Sequence, residues 1–327
     1  MIVAGVHLDN AWRELGAEFG RALRAWSGDV LSHTISEATR RGVETLIIAG
    51  DLFNRSLALP ATINVVAQLL ETFGGSVLIA PGKTDWTDAA SLYRTRPWPA
   101  NTFIWSEPEY RPSELVPSVW ASAWTSPSGS SPRLPDATGP RLVVRAGMAE
   151  AELGRVATGL PDLFVTTGAA VAEGSLTVPD LVHDPRTPGG FALLVDSEDP
   201  AAAAERVELP GRPGTLVELD VTAIPDTDAF GAAVESVLAS DHLVVLRLKG
   251  ALSPAVLLPG FGGPELRPGV VLDRSAVTFG ELTAEDSDRT ARAVFLRAMA
   301  HTRTFGVQRH QTTALGLAAL DADAGEV

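Results

Sequence analysis

The stretch that most constrains this chain is residues 45–53, Thr-Leu-Ile-Ile-Ala-Gly-Asp-Leu-Phe. A short apolar run rich in branched residues, closed by Gly50 and Asp51, reads as a buried strand of a parallel sheet running into a tight turn. It puts one carboxylate, Asp51, at the strand's carboxyl end, where open α/β sheets keep their ligand sites. Two similar runs flank it. Residues 1–8 form a strand that ends at His7 and Leu8, and residues 76–82 form one that leads into Lys83, Thr84 and Asp85. Between them lie helical stretches. The first covers residues 11–41, with a break expected at Ser27-Gly28. The second starts at Pro60, carries a stripe of Ile63, Val66, Leu69, Leu70 and Phe73, and stops at Gly74-Gly75. This β-α-β-α-β order describes a sheet covered by helices.

Further strands are expected at 102–105, 119–124, 142–145 and 162–167. Residues 125–140, rich in Ser, Pro and Gly, read as a flexible loop. Pro210-Gly-Arg-Pro-Gly214 is the clearest linker. Beyond it the pattern restarts with strands at 215–221, 242–248 and 270–273 and a helix at 228–240. Residues 283–327 open with a capping-box-like Thr283-Ala-Glu-Asp286. They carry an apolar face of Ala291, Val294, Phe295, Met299, Leu315, Leu317 and Leu320. The expected domains are therefore 1–209, a small α+β unit at 215–275, and a helical tail at 283–327.

Composition narrows the function classes. No run of eighteen apolar residues is present, so no membrane span is expected. The start of the chain lacks a basic leader, and a cytoplasmic location is the expectation. Cysteine is absent, which removes disulfides, thiolate metal sites and cysteine nucleophiles. The net charge of -14 argues against strong autonomous DNA binding, because phosphate neutralisation needs a basic footprint.

The strand-end residues carry a specific resemblance. Gly5-Val-His7-Leu8, Gly50-Asp51-Leu52-Phe53 and Gly82-Lys83-Thr84-Asp85 resemble the motifs of the calcineurin-like metallophosphoesterases. Within that superfamily the chain is most similar to the SbcD-type DNA repair exonucleases, whose motifs read Asp-x-His-Leu, Gly-Asp-Leu-Phe/Tyr, Gly-Asn-His-Asp, a lone His, and Gly-His-x-His. The last two correspond here to the region of Ala146-Gly147 and to Gly168-Ala169-Ala170-Val171. The resemblance covers roughly residues 1–275, with 190–196 and 205–209 fitting the closing hairpin of the family's catalytic domain. It implies a four-layer β-sandwich flanked by helices, then a small capping domain and a C-terminal helical tail.

What the resemblance implies about the site is mostly loss. A two-metal phosphoesterase clamps attacking and leaving oxygens between cations about 3.5–4 Å apart. Asp51 stands at the bridging position and His7 at the first metal's histidine, both as in the family. Gly5 replaces the first Asp and Lys83 the metal-binding Asn. Thr84 stands where the family has its catalytic His, and a hydroxyl cannot act as a general acid near neutral pH. Ala169 and Val171 replace the final histidines, and nothing replaces the lone one. Lys83 is expected to fill the vacated space and pair with Asp51. Asp9, Asp85 and Asp88 are the side chains that could join His7 and Asp51 around a single cation.

Three functions follow from these residues. The first is a catalytically inactive SbcD-like homodimer with no cofactor. It would be a structural or regulatory partner of an SbcC-like, SMC-type ATPase in DNA repair or phage defence, touching DNA only through that complex. The second is an active exonuclease or phosphodiesterase with a rearranged Mn²⁺ site. The third is a module that binds a small anion through Lys83 and nearby backbone amides. For the C-terminal helices, docking on the ATPase competes with packing on the chain's own domain.

Overall fold

The computed structural model describes residues 1–128, 142–147, 163–167, 175–186, 189–196, 199, 204–211, 213–238, 243–279, 288–301 and 306–324. It is an α/β chain of two units, Met1–Pro213 and Gly214–Val327.

In the first unit the strands are β1 (Ile2–Val3), β2 (Thr45–Ala49), β3 (Ser76–Ala80), β4 (Thr102–Ile104), β5 (Arg111–Pro112), β6 (Val119–Ala121), β7 (Leu142–Arg145), β8 (Leu163–Thr167), β9 (Ser175–Val178), β10 (Phe191–Leu194) and β11 (Glu205–Glu208). The helices are α1 (Gly16–Arg40), α2 (Pro60–Glu71) and α3 (Leu92–Thr95). One sheet has the order β11-β10-β1-β2-β3-β4 and the other β5-β6-β7-β8-β9. β1 to β4 run parallel, as do β6 to β9, while β10, β11 and β5 are antiparallel to their neighbours.

The two sheets share one core. Ile2, Ala4, Ile47, Ala49, Leu78 and Ala80 from the first meet Val119, Ala121, Val144, Val165 and Val178 from the second. Period-two alternation sends Leu46, Ile48, Val77 and Ile79 to the opposite face, where they are also buried. A sheet buried on both faces reads as a continuous apolar run, which is why β2 and β3 were legible. Each such side chain is worth roughly 1.5–3 kcal/mol of burial. Towards the strands' carboxyl ends the facing residues shrink to alanine, so the two sheets close tightly there.

Helix α1 runs unbroken from Gly16 to Arg40, against the expected interruption at Ser27-Gly28. Gly28 faces open space and costs only its intrinsic propensity, about 1 kcal/mol. Buried Phe19, Leu23, Trp26, Val30, Leu31 and Ile35 outweigh that cost. Helix α2 begins at Pro60 and buries Ile63, Val66 and Leu70.

The second unit holds β12 (Thr215–Asp220), α4 (Thr227–Val237), β13 (Val244–Leu252), β14 (Val270–Phe279), α5 (Ala291–Ala300) and α6 (Gly306–Ala324). Its three strands are all parallel, in the order β12-β13-β14, so the expected α+β unit is instead a βαβ crossover plus one further parallel strand. Parallel neighbours need a crossover connection, and α4 supplies it between β12 and β13. Val221, Phe230, Val234, Leu246, Leu248, Leu252, Val256 and Leu258 form its core.

The capping-box-like start Thr283-Ala-Glu-Asp286 lies outside the described residues. Helix α5 is capped by Thr290, whose hydroxyl accepts from Ala293 N. Its buried face is Ala293 and Leu296, whereas Ala291, Val294 and, in α6, Leu315 are exposed. Of the rest of the expected face, Leu317 is buried and Phe295, Met299 and Leu320 are half-buried, so only part of it turns outward. Helix α6 packs on its own unit. Buried Gln311 accepts from Leu258 N at 2.6 Å and donates to Val256 O at 3.2 Å, with Ala314 and Leu317 buried beside it.

Candidate functional site

The ends of β1, β2 and β3 converge with the segment that follows β9. Past its last ladder residue, β1 continues alongside β2. Gly5 N donates to Gly50 O at 3.0 Å, His7 N to Asp51 O at 2.9 Å and Leu8 N to Leu52 O at 3.0 Å. Four non-glycine residues among those described have positive φ, namely His7 (51°), Asp9 (60°), Trp12 (48°) and Asp51 (54°). All four lie in this one place. Each costs roughly 1–3 kcal/mol, and such strain collects where a site over-determines its backbone.

His7 points its Nε2 at Asp180 Oδ2, 3.2 Å away, and its ring meets Trp12 edge to face with centroids 5.7 Å apart. Burial pushes the imidazole pKa down. The hydrogen bond to the Asp180 carboxylate and the charges of Asp180, Asp51 and Asp85 more than reverse this, so the group sits above its ordinary value. Asp180 follows β9 of the second sheet but bridges Ala4 beside the first, so the chain changes sheets at this residue.

Asp51 is engaged by Thr84. Its Oδ1 accepts from Thr84 N at 2.9 Å and from Thr84 Oγ1 at 2.8 Å. Lys83 is exposed and makes no ion pair with Asp51 within 4 Å, which overturns the expected Lys83–Asp51 pairing. The physical reason is local. The two donors of Thr84 reach the carboxylate from the adjacent position, and the Lys83 ammonium keeps its hydration.

Asp85 is the buried centre of the turn. It accepts from Gly82 N at 2.6 Å, Leu52 N at 2.8 Å, Asp51 N at 3.2 Å and Tyr93 Oη at 2.7 Å. Burial, then the charge of Asp51, push it up to about 6 in spite of these four donors. Burial together with the facing carboxylate drives the Tyr93 phenol well above its ordinary range. The other two acids that could join a single cation are engaged elsewhere. Asp9 accepts from Leu59 N at 3.0 Å, and Asp88 pairs with Arg55 at 2.7 Å, which holds its carboxyl below the usual range. Arg55 also stacks on Trp86 at 4.7 Å.

On the second sheet, Trp124 Nε1 donates to Ala146 O at 2.5 Å and Gly147 N to Thr167 Oγ1 at 2.7 Å. Arg145, fully buried, lies over Trp124 at 4.7 Å and donates to Ser122 Oγ at 2.8 Å. A Cβ on Gly50 would stand 2.4 Å from Ala146 Cβ, so the two sheets touch at the β2 and β7 ends. Ala169 and Val171 lie outside the described residues.

No family model and no curated protein matches this chain.

Among the described residues, those at the strand ends do not fit a two-metal group. Position 5 offers no side chain, and its neighbouring volume holds Asp180. His7 Nε2 is engaged by that carboxylate, and Asp51 Oδ1 by two donors. Among the described residues no three His, Asp or Glu side chains are placed to hold one ion. The anion-binding reading fares no better at the loop amides, since Gly82 N and Thr84 N already donate to Asp85 and Asp51.

Sequence reasoning missed two participants. Asp180 lies 173 residues from His7 with no motif around it, and only the change of sheets after β9 brings it there. Tyr93 carried no signal beyond being one of two tyrosines in the chain.

Proposed function

We propose that the chain is a catalytically inactive relative of the SbcD-type metallophosphoesterases. It acts as a structural or regulatory subunit beside an SbcC-like ATPase, reaching DNA only through that complex. The observation that carries this reading is the engagement of both surviving motif residues by the chain itself, His7 by Asp180 and Asp51 by Thr84. The parallel strands ending at Gly5-x-His7 and Gly50-Asp51, and the packing of two sheets over one core, support the family's sandwich as the scaffold. The acidic balance of the chain favours a subunit whose DNA contact is made by a partner.

The runner-up, an active exonuclease or phosphodiesterase with a rearranged site, draws on the nearness of the Asp180 carboxylate to His7. One experiment separates the two. Mn²⁺ calorimetry on chelator-stripped protein, with a phosphodiester assay alongside, is expected to give neither binding nor turnover that Asp51→Ala abolishes. Tight Mn²⁺ binding and turnover, both lost in Asp51→Ala, would replace the inactive reading with the active one.

A further inference from the structure

Resting on that reading, we infer that Asp180 is the chain's own occupant of the strand-end site. It stands in the volume of a position-5 side chain and takes the His7 nitrogen, so that an internal carboxylate keeps a cation out. The steric statement is direct. A Cβ built on Gly5 lies 2.2 Å from Asp180 Oδ1, 2.3 Å from its Cγ and 2.4 Å from its Cβ. The contact with Cβ decides the matter, because a rotation about χ1 moves the carboxylate and leaves Cβ where the backbone puts it. A side chain at 5 and any residue larger than glycine at 180 therefore exclude one another unless the backbone shifts.

The backbone is held on every side. Asp180 bridges Ala4, and its carbonyl accepts from Gly190 N at 3.0 Å. Leu181 N donates to Ala4 O at 2.8 Å and Val182 N to Gly5 O at 2.9 Å. Gly189 backs directly onto the Asp180 carbonyl, leaving no room for a Cβ within 2.6 Å of it. On the other side, His7 is fixed by its positive φ and by the edge-to-face contact with Trp12. The carboxylate and the imidazole are thus delivered to each other by two rigid segments from different sheets. In this site a carboxylate two residues before the histidine has been exchanged for one from the end of β9.

The test is a cycle on the full-length chain with Gly5→Asp, Asp180→Gly and the two combined, and Asp180→Ala as a control that keeps the Cβ. Urea unfolding is expected to show that Gly5→Asp lowers the folding constant at least tenfold less in the Asp180→Gly background than in wild type. In the Asp180→Ala background no such relief is expected. Mn²⁺, added alone and followed by its free-ion resonance signal, is expected to bind only the Gly5→Asp/Asp180→Gly protein, where the carboxylate stands in cis to His7.

Additive losses across the cycle, with no Mn²⁺ bound by wild type, would overturn the exchange and leave the inactive reading standing. Coupling without any gain of Mn²⁺ would overturn the claim that Asp180 is what excludes the cation. Mn²⁺ bound by wild type and lost on Asp180→Gly would make Asp180 a ligand, and both the inference and the inactive reading would fall.

Discussion

The two halves of the strand-end site use their carboxylates in opposite ways. On the β2–β3 side, Asp85 is fully buried and receives three backbone amides and a phenol, so it holds two loops together and faces nothing outside. On the β1–β9 side, Asp180 keeps a side-chain exposure of 39% and has one partner, His7, on a strained backbone. An acid in a motif loop can be entirely structural, while the acid that bears on the site comes from an unmarked segment. Burial and donor count tell the two apart, and spacing in the chain does not.

That contrast breaks most visibly at Asp85. Asp85→Ala would leave three amides and the Tyr93 hydroxyl without an acceptor, and a loss of roughly 3–5 kcal/mol in urea unfolding is expected. Asp180→Ala removes a half-exposed pair and is expected to cost about 1 kcal/mol or less. Equal losses at the two positions would erase the distinction.

The pH dependence sharpens it. Asp85 has a folded pKa raised from 3.8 to about 6, so its contribution is full below 3.8 and is lost as pH rises through about 6. The stability difference between wild type and Asp85→Asn should shrink over that window. His7 is also raised, from 6.5. Its contribution is full below 6.5 and fades as pH rises through its higher folded value. The two halves should therefore weaken in successive windows as pH rises, Asp85 first and His7 after it. A difference that grows with pH at either position would contradict the assignment.

The smallest effect is the most local. Asp180→Asn removes the charge that offsets burial, so the His7 imidazole, followed by its ring proton shifts in NMR, should titrate lower than in wild type. An unchanged midpoint would assign the upward shift to Asp51 and Asp85 instead.

Local chemistry in the sequence was enough to determine β2, β3 and the Pro60 start of α2. An apolar run with its breaker specifies a strand without reference to anything distant, and His7 and Asp51 were visible for the same reason. The break expected at Gly28 failed because packing of the α1 stripe outweighs one glycine. Strand direction in the second unit, the partner of Asp51 and the identity of the acid beside His7 were decided only in three dimensions. Each depends on which segments the sheets bring together: a hydroxyl one residue beyond Lys83, a crossover helix, and a carboxylate 173 positions away. Pairing energies of a few kcal/mol act across contacts that leave no periodicity in the chain, so a sequence can mark the strand ends while the sheets choose what meets there.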